Sequence, residues 1–161
     1  EGRKIGGVIA NGPWEHMGTG PAYATAVKMS NPNSKVVLIT GDGALGLSPG
    51  LTPLETAIDR EVSITVVVSN NAKWGMIYEQ QSAMWGESYA TSLRDVNYSK
   101  IFEASGAFSE SITEAHNIKD ALKNASLTNR SGPSFIEVKT SSAPSPITQG
   151  LVEMRVRTAI E

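Results

Sequence analysis

Asp42 stands between two glycines in LITGDGALGLSPG (residues 38–50), at the point where an apolar run stops, and the paired asparagines Asn70 and Asn71 close the next such run. A carboxylate and an amide carbonyl are hard oxygen donors. Magnesium accepts such donors in sparse protein sites that waters and substrate phosphates complete. An asparagine as the second donor avoids adding another negative charge against an anionic diphosphate. Gly41 and Gly43 would let the chain turn tightly and bring backbone N–H groups close to a phosphate, with a helix N-terminus nearby to help. Either motif alone reads as a surface turn or a cap. Together, each at the end of a doubly apolar run with a helical segment between, they imply a diphosphate bridged through a cation beyond the strand ends.

The elements that must position these residues follow from periodicity. KVVLIT (Lys35 to Thr40) and SITVVVS (Ser63 to Ser69) are short, apolar on both faces and rich in β-branched residues, which predicts buried parallel strands, the first of them central. Between them LTPLETAIDR (Leu51 to Arg60) has Leu51, Leu54, Ala57 and Ile58 at helical spacing. Upstream, GTGPAYATAVKMS (Gly18 to Ser30) reads as a glycine-rich lead into a helix with Pro21 in its first turn and Tyr23, Ala26, Val27 and Ser30 in helical period. Downstream, helices are expected at Tyr98 to Ser105 and at Thr113 to Ala125, the second capped by Thr113, with a short strand in AFSESI and another at SFIEVKT (Ser134 to Thr140). Strands alternating with helices give an α/β fold, a parallel sheet flanked by helices.

Composition narrows the function classes. The 161 residues are 40% hydrophobic and 19% charged, and 14 basic against 16 acidic side chains leave a net charge of −2. That balance fits one globular domain and gives no reason to expect nucleic acid or a membrane surface as partner. With no cysteine, disulfides, thiolate metal sites and a cysteine nucleophile are all excluded. No apolar stretch approaches a bilayer span and the start lacks a signal-peptide pattern, so a soluble, cytoplasmic protein is expected. Both ends read as cut: a domain over 1–145 is expected, followed by a tail over 146–161.

GDG at 41 to 43 and NN at 70 and 71 resemble the cofactor motif of the thiamine diphosphate-dependent decarboxylase, carboligase and acetolactate synthase family. EHMGTGPAYATA (15 to 26) and NNAKWGMIYEQQ (70 to 81) are similar to the stretches flanking that motif. The likeness corresponds to the family's C-terminal, diphosphate-binding domain without its first strand. It implies thiamine diphosphate and Mg2+ as cofactors, with Asp42, the Asn71 side chain and the main-chain carbonyl of Lys73 as metal ligands. It further implies that backbone N–H groups of Gly43 and Ala44 meet the diphosphate beside Gly41, and that Met17 wedges the cofactor into its V shape. The Glu15 carbonyl, next to His16, would accept from the pyrimidine amino group, and Gly75, Met76 and Ile77 would line the cofactor.

The implied activity is decarboxylation of a 2-oxo acid, with the product taken by a proton or a second carbonyl compound, most like acetolactate synthase. A glutamate on the pyrimidine-binding domain, which starts the proton relay, has no counterpart here, so the chain alone is expected to form half a site without turnover. FAD, if used, would bind elsewhere in the parent protein, and a homodimer or homotetramer is expected. Ala44 stands where many members carry serine, Gln80 stands where acetolactate synthases typically carry tryptophan, and the Asp42 to Asn71 interval is longer than usual. Two competing readings are a dinucleotide-binding fold, disfavoured because Tyr23 replaces the third glycine after Gly18 and Gly20, and a non-catalytic assembly module. His16, His116, Trp74, Trp85 and Glu55 are expected to serve structure or solvation.

Overall fold

The computed structural model describes residues 7–10, 12–14, 16–47, 51–127, 131–143, 146 and 148–150. Four parallel strands, β1 (Val37–Gly41), β2 (Thr65–Asn70), β3 (Phe108–Ile112) and β4 (Ser134–Lys139), form one sheet in the order β1-β2-β4-β3. Around it lie α1 (Gly20–Ser30), α2 (Asp42–Gly46), α3 (Thr52–Asp59), α4 (Gly75–Trp85), α5 (Tyr98–Ala104) and α6 (Ile118–Leu127). The α/β fold with a helix-flanked parallel sheet is therefore the one expected.

Register sorts the two faces of the sheet. Leu38, Val66 and Phe135 are aligned across three strands, and one step on Val68 aligns with Glu137. This face carries the larger core, in which Leu45, Leu54, Ala57, Tyr98 and Phe102 pack on Val66, Val68 and Phe135. The Phe102 and Phe135 rings stack with centroids 3.5 Å apart. The opposite face carries α6, whose Ala121 and Ala125 cover Ile112 and Ile136.

Three expectations about the elements need correction. β1 is not central: among the described residues nothing pairs beyond it, and Val37 and Ile39 on the face away from the larger core are 56% and 76% exposed. A doubly apolar run thus marks a strand but does not fix its place in the sheet. In α1 the buried residues are Pro21, Ala24 and Thr25, while Tyr23 and Ala26 face outward. The small residues let the helix lie close over β1, where a Cβ on Gly20 would sit 2.8 Å from a Leu38 methyl. Thr113 does not cap α6: Glu114 remains extended, residues 115–117 form a 3₁₀ turn, and α6 begins at Ile118.

Candidate functional site

Parallel pairing of Gly41 with Ser69 brings the ends of β1 and β2 side by side, so the Asp42 and Asn71 loops share one edge of the sheet. A cleft of about 310 Å³ opens there. Met17, Gly41, Asp42, Gly43, Ala44, Asn71, Lys73, Gly75, Met76 and Ile77 all line it, as do Ser69 and Trp74. Glu15 lies outside the described residues. His16 sits beside the cleft, exposed, with Nδ1 2.7 Å from the Met17 carbonyl oxygen.

Asp42 opens α2 directly after β1 and is only 4% exposed. Burial pushes its carboxyl above the usual range, and the backbone amides of Gly43, Asp42, Asn71 and Ala72 pull it partly back. A buried carboxylate whose desolvation outweighs its hydrogen bonds is a position where an added cation gains most. The Tyr98 hydroxyl, kept protonated by burial and by the nearby Asp42 and Glu137 charges, donates to the Asp42 carbonyl at 3.2 Å.

The second loop is built from two consecutive asparagines with different tasks. Asn70 is 2% exposed, and its Oδ1 accepts from the Ala72 N–H at 3.1 Å, a local turn that holds Ala72 at φ 53. Asn71 Oδ1 accepts from the Lys73 N–H at 3.1 Å and keeps a second lone pair for another partner. The loop is pinned from outside as well, by the Trp74 N–H on the Thr91 carbonyl and the Leu93 N–H on the Ala72 carbonyl, at 2.9 and 2.8 Å. The Lys73 ammonium rests over the Tyr78 ring, 3.7 Å from its centre.

Gly43 and Gly75 serve packing. Neither Gly41 nor Gly43 is among the residues at positive φ. A Cβ on Gly43 would lie 2.7 Å from the Trp74 ring, and one on Gly75 would lie 2.9 Å from Asn71 Nδ2. Both glycines therefore make room for side chains of the site itself. Trp74 is half-buried by this contact, whereas Trp85, expected to pack, is 65% exposed at the end of α4. His116 and Glu55 are exposed, as expected.

Sequence reasoning missed the group beneath the site. Glu137 on β4 is fully buried, and its Oε1 accepts from Asn70 Nδ2 at 2.7 Å and from Lys139 Nζ at 3.0 Å. Its Oε2 accepts from the Ser99 N–H at 3.2 Å. Burial alone would raise this carboxyl, but the bonds from Asn70, Lys139 and Ser99 and the Lys139 charge outweigh it and hold Glu137 below the usual range. The sequence signal was an acidic residue set between Ile136 and Val138 in the strand SFIEVKT.

The donor set fits a cation that a ligand completes. Among the described residues no three His, Cys, Asp or Glu side chains cluster, while one buried carboxylate and one amide oxygen flank a cleft with backbone from two loops. Among the described residues no helix is long and apolar enough to cross a membrane.

The comparisons with known proteins agree with this geometry. The family model for the thiamine pyrophosphate enzyme, C-terminal TPP binding domain, matches residues 2–138. The acetolactate synthase large subunit IlvG of Mycobacterium tuberculosis is 34% identical over 118 residues, covering 73% of this chain and 21% of that protein. The acetolactate synthase isozyme 3 large subunit of Escherichia coli is 32% identical over 121 residues, covering 73% and 20%. The chain thus spans about a fifth of the length of these relatives. In fold it is similar to the thiamine diphosphate-dependent 4-hydroxybenzoylformate decarboxylase of Rhodococcus jostii RHA1, with a TM-score of 0.70, 22% identity, and coverage of 80% of this chain and 24% of that one. A helix-flanked parallel sheet, a cleft at its carboxyl edge and a family match over residues 2–138 together make this chain a member of the thiamine pyrophosphate enzyme family, as its C-terminal TPP-binding domain.

Proposed function

We infer that the chain holds the diphosphate of thiamine diphosphate through a magnesium ion and serves an enzyme of the acetolactate synthase type acting on 2-oxo acids. One observation carries the reading: Asp42 and Asn71, from the ends of neighbouring parallel strands, meet at a single cleft. In this reading the Asp42 carboxylate, the Asn71 side-chain oxygen and the Lys73 carbonyl ligate the cation. Backbone N–H groups at Gly43 and Ala44 receive the diphosphate. Met17 sits beneath the cofactor, the Glu15 carbonyl orients its amino group, and Met76 and Ile77 offer exposed apolar surface to its rings. When bound, the cofactor supplies the electron sink for breaking a bond at the substrate's carbonyl carbon. The chain's own residues bind, orient and shield it. The remaining half of the site would come from a pyrimidine-binding domain, within a homodimer or homotetramer.

Calorimetric titration of the chain with thiamine diphosphate, with and without magnesium, and with a diphosphate-only analogue, tests the reading. Magnesium-dependent binding that the analogue largely retains is the expected result. Magnesium-independent binding refutes the cation bridge, and absence of binding in the complete protein favours a non-catalytic assembly role. A second activity, that of another thiamine-dependent decarboxylase or lyase, is favoured by Gln80, which stands where acetolactate synthases typically carry tryptophan. Products formed from pyruvate by the complete protein separate the two: acetolactate supports the first and an aldehyde the second.

A further inference from the structure

We propose that Glu137 is a positioning residue whose one buried carboxylate holds both loops of the cation site in register. The proposal rests on the reading of Asp42 and Asn71 given above. Glu137 lies on β4, behind the cleft, and does not line it. Its two oxygens lead in different directions. Through Oε1 it fixes the Asn70 amide, which also donates to the Val96 carbonyl at 2.9 Å. With Nδ2 so held, Asn70 Oδ1 faces the Ala72 N–H, and the turn at Ala72 directs Asn71 and Lys73 toward the cleft.

Through Oε2 it holds the Ser99 N–H in the first turn of α5. The neighbouring Tyr98 hydroxyl reaches the Asp42 carbonyl. One arm therefore ends at Asn71 and the other at Asp42. Lys139 adds a third contact at 3.0 Å, and its ion pair with Asp95 ties the group to the segment leading into α5. A carboxylate is the residue type this place requires, since every group aimed at it is a donor and a glutamine would turn its own N–H₂ toward one of them. Partners one step removed from a metal commonly set its affinity by orienting the ligands.

The test uses Mn2+ with thiamine diphosphate on the complete protein, read by the electron paramagnetic resonance signal of free and bound manganese well below the unfolding transition. Glu137→Gln is expected to raise the manganese dissociation constant about 10-fold to 100-fold and to broaden the bound signal. Ile136→Ala, on the same strand but facing α6, removes core volume without touching the network. It should lower stability while leaving the manganese constant within about twofold. Asn70→Ala cuts the first arm alone and should weaken manganese binding, and the double variant should lose less than the product of the single factors. If Glu137→Gln does not fold, Asn70→Ala set against Ile136→Ala decides. Unchanged affinity in Glu137→Gln, or equal losses in Ile136→Ala, overturns the proposal. Asp42→Ala tests the underlying reading separately: should it bind manganese as the parent does, the cation site itself is misassigned and this inference falls with it.

Discussion

Replacing Lys139 with methionine should weaken the pH-dependent stability that Glu137 contributes. In the native chain the Glu137 carboxyl is held below its unfolded value near 4.3 by hydrogen bonds and the Lys139 charge, against the opposing effect of burial. A depressed carboxyl contributes stability that is fully present above the unfolded value and is lost as pH falls through the folded one. Lys139→Met removes one bond and the charge while burial and the Asn70 and Ser99 bonds remain, so the carboxyl moves up. The contribution then shrinks, and the variant gains less stability than the parent does as pH rises from about 4 to 7. Breaking a buried pair from one side costs about 3–5 kcal/mol, and Lys139, whose side chain is 28% exposed, belongs at the lower end, roughly 3 kcal/mol at pH 7. For a chain of this size that is a fall of roughly 6–12 °C in Tm. Urea unfolding at pH 4 and pH 7 measures it, with Asp95→Asn as control. The control breaks only the outer pair, whose aspartate side chain is 68% exposed, and should cost under about 1 kcal/mol. A methionine variant within 0.5 kcal/mol or so of the parent at pH 7, with a parallel pH profile, refutes the reasoning.

Further tests follow from the contacts around the cleft. Asp42→Ala should abolish magnesium-dependent cofactor binding while leaving the far-ultraviolet circular dichroism unchanged, and unaltered affinity in calorimetry sinks the ligand assignment. Gly43→Ala places a Cβ 2.7 Å from the Trp74 ring, so it should cost about 1–3 kcal/mol and shift the indole fluorescence. Gly75→Ala pushes on Asn71 Nδ2 from 2.9 Å, and should weaken magnesium-dependent binding more than it lowers Tm. Met17→Ala, at a 41% exposed position, should change stability by under about 0.5 kcal/mol yet impair turnover of the complete enzyme more than cofactor affinity; equal losses in both count against the wedge role.

The cleft was legible because its residues follow directly from strand ends. SITVVVS and KVVLIT announce strands by β-branching, and in a parallel sheet whatever comes next falls on one edge. Glu137 was not legible, because its partners Asn70 and Ser99 are brought to it and to its strand neighbour Lys139 only by the β2–β4 pairing and by α5. Gly43 was read as part of a tight turn, whereas the structure uses its missing side chain to admit the Trp74 ring, and Gly75, read as lining the cofactor, also makes room for the Asn71 amide. Position within the sheet was equally hidden. Val37 and Ile39 are β-branched like the buried Val66 and Val68, and only strand order and the face each residue occupies separate them.

Helix α4 sets how the cleft wall behaves in time. None of its 11 residues is buried, and Met76 is 58% exposed, so the element leans on its first-turn neighbour Trp74 and on the helix-ending Gly86. A helix of this length is marginal without tertiary packing. Its amides should therefore exchange with solvent deuterium through local opening, far sooner than those of β2 and β4, whose protection follows global unfolding. Occupation of the cleft between Asp42 and Ile77 would slow that exchange, and much of the ordering entropy of binding would fall on this one wall.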